Sequence, residues 1–257
     1  MGRRLTASSI LLALAFAAAP QAASAQAKET ERVERTVAMA AGGRLTLKNF
    51  SGKVSITGES RSDVHLVAVR TAPKDRLANI RLDIQSDGRD VTIEANRRRE
   101  GWKEKNNNVV ETTFEIKVPA SVNLDVKVFS SPVTIAGVTG THRVHGFSSD
   151  LRLDGVTGPI HAETFSGAIF LSPAEWQQNQ SLKVKTFSGD IEVRLPLTAS
   201  GRLEFDSFSG DVTSDVPLML KSKSRRKLSA EFNTAAAGTA PGELTVKTFS
   251  GDVRLTK

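Results

Sequence analysis

The 257-residue chain contains no cysteine, and this absence excludes several classes of protein. The chain can form no disulfide, it has no lipobox cysteine for a lipid anchor of the bacterial lipoprotein kind, and it cannot use a thiolate as a nucleophile. After residue 25 there is also no apolar run of transmembrane length, and no glycine-rich phosphate loop followed by a helix. The folded chain must therefore hold together by the packing of its own core.

The first 25 residues have the order of a secretory signal peptide. Arg3 and Arg4 precede an apolar run over residues 10–19, and residues 23–25 (ASA) match a small-residue cleavage site. The sequence therefore predicts a signal peptide over residues 1–25 and a mature protein that is periplasmic or secreted. Without Arg3 and Arg4 the formal net charge falls from +7 to +5, so anionic partners are not repelled.

The rest of the chain is organised around a repeat, whose clearest copy, residues 244–255, reads LTVKTFSGDVRL. Similar units surround seven phenylalanines: Phe50, Phe129, Phe147, Phe165, Phe187, Phe208 and Phe249. Subtracting the positions from the second to the sixth gives intervals of 18, 18, 22 and 21 residues, and the last interval is 41. A period of roughly twenty residues is the signature of a repeat architecture.

Each copy has alternating apolar and polar residues on both sides of a Phe-Ser-Gly corner. In the last copy, Leu244 and Val246 share one face before the corner, and Val253 and Leu255 share one face after it. This period of two predicts half-buried strands around a tight turn, where glycine supplies a positive φ or leaves room for a neighbouring chain. Because the units repeat in register, they predict an all-β fold, a parallel β-solenoid of about seven to nine coils.

The segments outside the clear repeats complete the expected domain organisation. Residues 26–37 are polar and charged, and they predict a flexible lead before the first strand. Longer alternating runs lie at residues 64–69, 80–85, 91–94 and 109–118. These runs predict a strand-rich cap on the open end of the solenoid. We expect one β-solenoid domain over residues 38–257, with the cap and first strands at 38–120 and regular coils at 121–257.

The repeated phenylalanines predict a buried ladder. Coils stacked as parallel strands lie roughly 4.7–4.9 Å apart, which falls within the roughly 4.5–7 Å favoured by aromatic pairs. Strict alternation from Leu244 and Val246 would place Thr248 inside and Phe249 outside, so burial of the ring requires a bend between these two residues. The alternative is an exposed aromatic platform on which a ligand stacks.

Three copies carry a resemblance to a known family. They are residues 186–196 (TFSGDIEVRLP), 203–218 (LEFDSFSGDVTSDVPL) and 244–255 (LTVKTFSGDVRL). These copies are similar to the bacterial putative-adhesin family of β-strand-repeat proteins, a domain of unknown function related to adhesin head domains. The resemblance covers residues 40–257, and the repeated Ser-Gly-Asp turn is its most specific element. It implies a parallel β-solenoid outside the cytoplasm, and it carries no catalytic residues to transfer.

The histidines do not predict a metal site. They are His65, His142, His145 and His161. His142 and His145 lie three residues apart, so one strand would point them to opposite sides, and alignment of the coils on their phenylalanines pairs His161 with Arg143. We therefore expect solvent-facing histidines, no metal and no cofactor.

Aspartate recurs three residues after the phenylalanine, at Asp150, Asp190, Asp211 and Asp252. Stacked carboxylates could bind calcium, but neither the period nor the composition fits the nonapeptide of calcium-binding β-rolls. We expect instead that each aspartate accepts hydrogen bonds from amides at the Ser-Gly corner. The lysines two residues before the phenylalanine would offset this negative charge; they are Lys48, Lys127, Lys185 and Lys247.

Two basic segments depart from the repeat. The first contains Arg97, Arg98, Arg99, Trp102, Lys103 and Lys105, and the second contains Lys221, Lys223, Arg225, Arg226 and Lys227. As exposed loops they would attract an anionic polymer through charge, and Trp102 would add stacking or cation–π contacts. The alternative is a pair of solvated loops, with Trp102 folded back on the sheet.

The sequence favours a non-catalytic function, in which an exported envelope protein presents an extended surface for adhesion or assembly. The expected partner is an anionic envelope or extracellular polymer, or another envelope protein, and not a specific nucleic acid. The alternative is an enzyme or binding module that acts on envelope or extracellular polysaccharide. An enzyme would require acids such as Glu163, Glu204 and Asp206 to cluster on one face.

Overall fold

The computed structural model describes residues 27–102, 108–177, 179–233 and 242–257; the expected signal peptide lies outside these residues. The elements up to residue 119 are β1 (Lys28–Ala38), β2 (Arg44–Ser51), β3 (Val54–Glu59), β4 (Asp63–Pro73), α1 (Lys74–Asn79), β5 (Ile80–Ser86), β6 (Val91–Arg98) and β7 (Glu111–Pro119). The later strands are β8 (Asn123–Ser130), β9 (Val133–Ala136), β10 (His142–Ser148), β11 (Leu151–Val156), β12 (Ile160–Ser166), β13 (Ile169–Pro173), β14 (Ser181–Ser188), β15 (Ile191–Arg194), β16 (Gly201–Ser209), β17 (Val212–Ser214), β18 (Leu218–Lys223), β19 (Lys227–Phe232), β20 (Gly242–Ser250) and β21 (Val253–Thr256). The all-β prediction is confirmed. Within the described ranges, no helix has the length and apolar character needed to cross a membrane.

The strands form two open sheets. The ten-stranded sheet has the order β1-β4-β7-β3-β9-β11-β13-β15-β21-β17, and the eleven-stranded sheet has the order β18-β19-β16-β20-β14-β12-β10-β8-β2-β6-β5. Each repeat contributes one strand to each sheet, as β14 and β15 do on either side of their Phe-Ser-Gly corner. Strands of the repeats pair in parallel and in register, so Leu182 lies between Ile160 and Leu244. Antiparallel pairs such as β1–β4 and β18–β19 lie at the ends, so both sheets are mixed.

The corner between the two strands of a repeat requires glycine because successive corners lie in contact. Gly189 has a φ of 141°, and a Cβ built on it would lie 2.1 Å from the carbonyl oxygen of Gly167 in the adjacent coil. Gly251 has a φ of 148° and approaches the carbonyl oxygen of Gly189 equally closely. Both reasons for glycine that the sequence suggests, the positive φ and the lack of space, therefore apply here.

The core lies between the two sheets and is filled by alternate residues of each strand. Leu182 and Val184 of β14 are buried, and so are Ile191 and Val193 of β15. Most of the equivalent positions in the other repeats are also apolar and buried, and together they form one cluster that extends along both sheets. The outward residues between them are free of this packing constraint, so the functional surface has to be sought there.

The C-terminal repeat does not lie at the end of the stack. Strand β20 pairs with β14 on one side and β16 on the other, and β21 likewise lies between β15 and β17. The hairpin β18–β19 occupies part of the long interval before Phe249, and β19 pairs antiparallel with the other edge of β16. The hairpin covers the edge of β16 that a following coil would use. The last repeat lies between two earlier repeats.

The predicted strand-rich cap is present as β4, β5, β6 and β7. Strands β6 and β7 pair in parallel with β2 and β3, and β5 and β4 then add antiparallel partners on the outside. The cap therefore continues both sheets, and at this end each sheet finishes with antiparallel pairing.

The prediction of a flexible lead before the first strand is wrong, because Lys28–Ala38 forms β1. This strand pairs antiparallel with β4 along its whole length. Most of its side chains are exposed, so it lacks the apolar alternation that reveals a strand in a sequence. It is held by backbone hydrogen bonds along the β4 edge and by an ion pair between Glu31 and the buried guanidinium of Arg70.

His142 belongs to the core, so the expectation of solvent-facing histidines is wrong for this residue. Its side chain is fully buried, in register with Leu124 and Ile160 of the adjacent coils. Its Nε2 lies 3.2 Å from the carbonyl oxygen of Thr157. Burial lowers the pKa of His142, because desolvation disfavours the charged imidazolium.

We predict that the free energy of unfolding decreases when the pH falls below about 6.5, the usual pKa of histidine in an unfolded chain. Since the folded-state pKa is lower, the unfolded state binds more protons in this range, and acid shifts the equilibrium toward it. Denaturant titrations at several pH values above and below that pKa measure the effect.

The control variant is His142→Leu, which gives this coil the side chain found at the equivalent Leu124. The Thr157 carbonyl keeps its hydrogen bond from the Gly140 amide, so no buried acceptor is left unpaired. The pKa of His145 is also lowered, so the pH dependence of the variant should be reduced and not abolished. An equal pH dependence in the two proteins would contradict the assignment to His142.

Candidate functional site

The seven repeated phenylalanines form a continuous stack on the outside of the molecule, which we call the phenylalanine ladder. In spatial order its members are Phe50, Phe129, Phe147, Phe165, Phe187, Phe249 and Phe208. Neighbouring ring centroids are 4.6–5.0 Å apart, and neighbouring ring planes differ by 3–10°. Each side chain is between 41% and 53% exposed.

The expected burial of the ladder is wrong, although the expected stacking is present. Alternation continues through the corner without a bend, so Thr186 and Thr248 are buried while Phe187 and Phe249 point outward. The hydroxyls of Thr164 and Thr186 reach the backbone of the adjacent corner, whereas the buried hydroxyl of Thr248 has no hydrogen-bond partner among the described residues. The Thr164 hydroxyl, for example, donates to the Ser149 carbonyl oxygen at 3.0 Å.

The ladder exposes ring edges and covers ring faces. Each inner ring has a neighbour against both faces, and at one end the guanidinium carbon of Arg226 lies 4.1 Å from the centroid of Phe208. An aromatic ring is partially negative on its face and partially positive at its edge. The ladder is therefore an apolar ridge with an electropositive rim, and it offers no free faces between its members for a ligand to stack on.

A groove runs beside the ladder on the outer face of the eleven-stranded sheet. The outward residues two positions before each phenylalanine are, in spatial order, Lys48, Lys127, His145, Glu163, Lys185, Lys247 and Asp206. We call the four lysines the lysine row. One section of the groove, of about 480 Å³, is lined by Phe165, Phe187, Lys185 and Lys247, and also by His145 and Glu163. A second section, of about 340 Å³, is lined by Phe50, Phe129, Lys48 and Lys127.

The lysine row is partly neutralised at one end. The Nζ of Lys48 lies 3.9 Å from a Glu94 carboxylate oxygen, and that of Lys127 lies 3.6 Å from an Asp125 carboxylate oxygen. In the part of the chain that the structure describes, Lys185 and Lys247 form no ion pair. Positive charge is therefore most available in the section of the groove between β14 and β20.

Three of the four aspartates after the corner, all except Asp211, accept hydrogen bonds from backbone amides, as expected. Asp150 accepts from the Ala168 amide at 2.8 Å. Asp190 accepts from the Asp252 amide at 2.9 Å, and Asp252 accepts from the Asp211 amide at 3.0 Å. Each carboxylate thus binds the equivalent amide of the adjacent coil. Among the described residues no ion pair joins them to the lysine row, so the lysines do not offset their charge as expected.

The first basic segment begins on a strand and continues past its end. Its described members are Arg97 and Arg98 of β6, Arg99 and Trp102, whereas Lys103 and Lys105 lie outside the described residues. The three arginines line a polar cavity of about 370 Å³ together with Asp83 and Glu100. Trp102 packs against a small buried cluster that contains Ile80, so it folds back on the sheet.

The second basic segment forms the tip of the hairpin β18–β19 and is not a loop throughout. Lys221 and Lys223 lie on β18, Arg225 and Arg226 in the turn, and Lys227 at the start of β19. The Nζ of Lys221 lies 3.0 Å from Glu231, and that of Lys227 lies 3.9 Å from Asp206. All five basic side chains are exposed.

The two basic segments lie at opposite ends of the eleven-stranded sheet. Strand β6 adjoins β2, which carries Phe50, and β19 adjoins β16, which carries Phe208. These two phenylalanines are the end members of the ladder. The structure therefore does not bring the basic segments together, but it places one of them at each end of the groove.

Glu163 lies far from the other two acids considered for glycoside cleavage, Glu204 and Asp206, which share the outer face of β16. Strand β12, with Glu163, is separated from β16, with Glu204 and Asp206, by two further strands. Three strand spacings amount to about 14 Å, which exceeds the separation of about 5–9.5 Å between the carboxyl groups of glycosidases. Glu204 accepts a hydrogen bond from the Ser229 hydroxyl at 2.8 Å, which gives it a structural partner.

Two histidines and a glutamate meet in the middle of the groove, and the sequence analysis missed this cluster. A Glu163 carboxylate oxygen lies 3.4 Å from His161 Nε2 and 3.9 Å from His145 Nδ1. The predicted register, with Arg143 opposite His161, is correct, but it also puts His145 directly opposite Glu163. His145 is thus the diagonal neighbour of His161, and such neighbours are close enough for long side chains to touch.

The cluster has the chemistry of a metal-ligating group, contrary to the expectation from the histidine spacing. The ligand atoms of His145, His161 and Glu163 all lie within 4.8 Å of one another, and the described residues contain no other such group of three. Burial, followed by the proximity of His161, lowers the pKa of His145, while Glu163 and Asp125 oppose this shift. The neutral imidazole, which is the form that binds metals, is therefore favoured at His145.

Comparison with known proteins gives a family match and several structural neighbours. The model of the Toastrack DUF4097 family matches residues 123–256, whereas no curated protein matches the chain. A putative cell adhesion protein from Clostridium sporogenes is similar at 11% identity and a TM-score of 0.49, over 89% of this chain and 99% of that one. A putative adhesin from Bacteroides fragilis is similar at 11% identity and a TM-score of 0.37, over 88% and 97%. Another from Parabacteroides distasonis has 9% identity and a TM-score of 0.32 over the same shares.

We predict that Phe187→Ala costs less stability than Leu182→Ala, although both residues lie on β14. The leucine is fully buried, and its truncation should lower the free energy of unfolding by about 2–5 kcal/mol. The ring is half exposed, so its loss should cost about 1–3 kcal/mol, mainly from two stacking contacts worth about 0.5–1.5 kcal/mol each. Denaturant titration of both variants measures the difference, and equal losses would contradict an outward-facing ladder.

Proposed function

Because the chain belongs to the Toastrack DUF4097 family, we propose that it is an exported, non-catalytic envelope protein that presents an extended surface for adhesion or assembly. The proposed surface is the groove between the phenylalanine ladder and the lysine row, carried on a β-solenoid of stacked repeats. The proposed partner is an anionic envelope or extracellular polymer that lies along this groove.

The observation that carries the proposal is the length of the groove and the uniformity of the phenylalanine ladder that borders it. The six ring-to-ring steps of 4.6–5.0 Å make the ladder about 28 Å long. Small-molecule sites enclose most of their ligand in a concave pocket. This groove is open, and it offers the same ridge at every coil. Such a surface suits an extended chain that makes many weak, similar contacts.

The distribution of charge supports an anionic partner. The lysine row lies along the groove on both sides of His145 and Glu163, and a basic segment lies at each end of it, so a polymer that follows the ladder meets cationic groups along most of its path. The ring edges beside the lysines are also partially positive. A single exposed ion pair contributes little, but several that form together on one polymer can give useful affinity.

A non-catalytic role is supported by the separation of Glu163 from Glu204 and Asp206. Glu204 and Asp206 lie on the same face of β16, but each already has a structural partner, Ser229 and Lys227 respectively. An enzyme that cleaves polysaccharide is the alternative class. Release of reducing sugar ends from the polymer during incubation with the protein would favour this alternative.

We predict that immobilised alginate, an anionic polysaccharide, retains the protein at low salt and releases it at high salt, because salt screens exposed charges. Replacement of Lys48, Lys127, Lys185 and Lys247 by glutamine should abolish this retention. The four side chains are solvent-accessible, so the variant should fold normally, which circular dichroism can verify. Neutral dextran, which carries no charge, should not retain either protein.

The matched control removes four positive charges from another surface, by replacing Lys28, Arg32, Arg35 and Lys74 with glutamine. These residues are exposed and lie on β1 and α1, at the edge of the ten-stranded sheet. Both variants have the same net charge, so a difference between them reports position. Equal retention of the two variants, or retention that salt does not change, would contradict the groove. Absence of any retention would favour another envelope protein as partner.

The basic segments at the ends of the groove are proposed to extend the polymer path. Replacement of Lys221, Lys223, Arg225 and Lys227 by glutamine should weaken retention by less than the lysine-row variant does, because these residues lie beyond the last ring. The equivalent test at the other end replaces Arg97, Arg98 and Arg99. A complete loss caused by either end alone would place the binding surface there instead of in the groove.

Export is proposed from the order of charged, apolar and small residues over positions 1–25. We predict that protein isolated from the native envelope begins at Gln26, after cleavage behind Ala25. Intact-mass spectrometry distinguishes this form from the uncleaved chain. Recovery of the protein mainly as a full-length cytoplasmic species would contradict export.

A further inference from the structure

We propose that His145, His161 and Glu163 form a binding site for a divalent transition metal ion such as Zn²⁺. The three side chains come from the adjacent strands β10 and β12 and lie on the same face of the eleven-stranded sheet. They offer two imidazole nitrogens and one carboxylate oxygen, a set that zinc accepts as three of its four ligands. The site is independent of the proposed function, since it rests on the mutual distances of these side chains.

The spacing of the ligand atoms is close to that of a tetrahedral site. With ligands at about 2.0–2.2 Å from zinc, ligand atoms lie about 3.3–3.6 Å from one another. The 3.4 Å between His161 Nε2 and the Glu163 carboxylate already matches, and the 3.9 Å between His145 Nδ1 and the same carboxylate is slightly longer. The third separation, between the two imidazole nitrogens, is within 4.8 Å. Rotation of the side chains, without movement of either strand, would close the site.

The cluster lies where the outward row changes its chemistry. In the two adjacent coils of β10 and β12, His145 and Glu163 occupy the position that is lysine in the coils on both sides, at Lys127 and Lys185. His161 adds a second imidazole on the same face of β12. The side chains of His145 and Glu163 are solvent-accessible on the outer face, at 40% and 44% exposure, so core packing does not explain the change.

The surrounding charges affect which ions the site would take. Lys127 and Lys185 lie directly opposite His145 and Glu163 on the flanking strands, and they disfavour weakly held cations. Asp125 of β8 has a buried carboxylate oxygen with no hydrogen-bond partner in the described residues, and its charge opposes that of the lysines. Imidazole ligands suit Zn²⁺ and Cu²⁺, whereas Ca²⁺ and Mg²⁺ prefer sites built of oxygen. The site should therefore select transition metals.

Isothermal titration of the full chain without an affinity tag, with ZnCl₂ as the probe, tests the site. We expect one saturable equivalent of Zn²⁺, and no saturable binding of Ca²⁺ or Mg²⁺. His161→Gln and Glu163→Gln should each weaken Zn²⁺ binding by at least about tenfold. Titration with Co²⁺ gives a second readout, because a tetrahedral site produces visible absorption bands that should be lost in both variants.

The matched control is His65→Gln, which removes a half-buried histidine from β4, outside the cluster. It should bind Zn²⁺ as the unmodified protein does. Circular dichroism and denaturant titration establish that each variant is folded. Zn²⁺ binding that is not saturable, or that is unchanged in His161→Gln and Glu163→Gln, would overturn the proposal and indicate adventitious surface binding. An equal loss in His65→Gln would do the same.

Discussion

Parallel pairing in register is the interaction on which the rest of the structure depends. Because adjacent coils are one strand spacing apart, each residue of a repeat lies beside its own counterpart in the next coil. A residue type is therefore accepted only if it can lie next to its own copy. Gly189 leaves room for the Gly167 carbonyl, and Asp190 binds the amide of Asp252. The hydroxyls of Thr164 and Thr186 meet the same requirement through backbone hydrogen bonds, and the phenylalanine rings meet it through stacking.

In a row of identical side chains, the attraction or repulsion between like residues is repeated at every coil. Each added coil gives a phenylalanine another stacking partner, whereas each added lysine is repelled by the one before it. The nearby acids Glu94 and Asp125 reduce this repulsion at one end, and His145 and Glu163 interrupt the row in the middle. Such an interruption permits ligand chemistry that a uniform row excludes. The groove and the proposed metal site thus share one face, because only outward positions are free to differ.

Much of the fold could be predicted because the repeat is visible in the sequence. The strands, the glycine corners, the aspartate–amide bonds and the stacking of the rings all follow from its period. The predicted burial of the rings was wrong. It relied on the hydrophobicity of phenylalanine, whereas the alternation of inward and outward residues continues through Thr248 and places Phe249 outside. Strand β1 has exposed side chains and gives no apolar signal. The metal-ligating cluster was missed because only directly opposite residues were compared, although the correct register already made His145 and His161 diagonal neighbours.

The position of the last repeat determines the order in which the chain can fold. Strands β20 and β21 lie between strands from earlier residues, so β14 and β16 cannot both complete their pairing until residues 242–257 have joined them. A solenoid whose coils follow chain order can grow from one end as the polypeptide emerges. Here the final coils form only through contacts between distant residues, which slows folding. The stack is therefore complete only after β20 and β21 have been synthesised and have paired with the earlier strands.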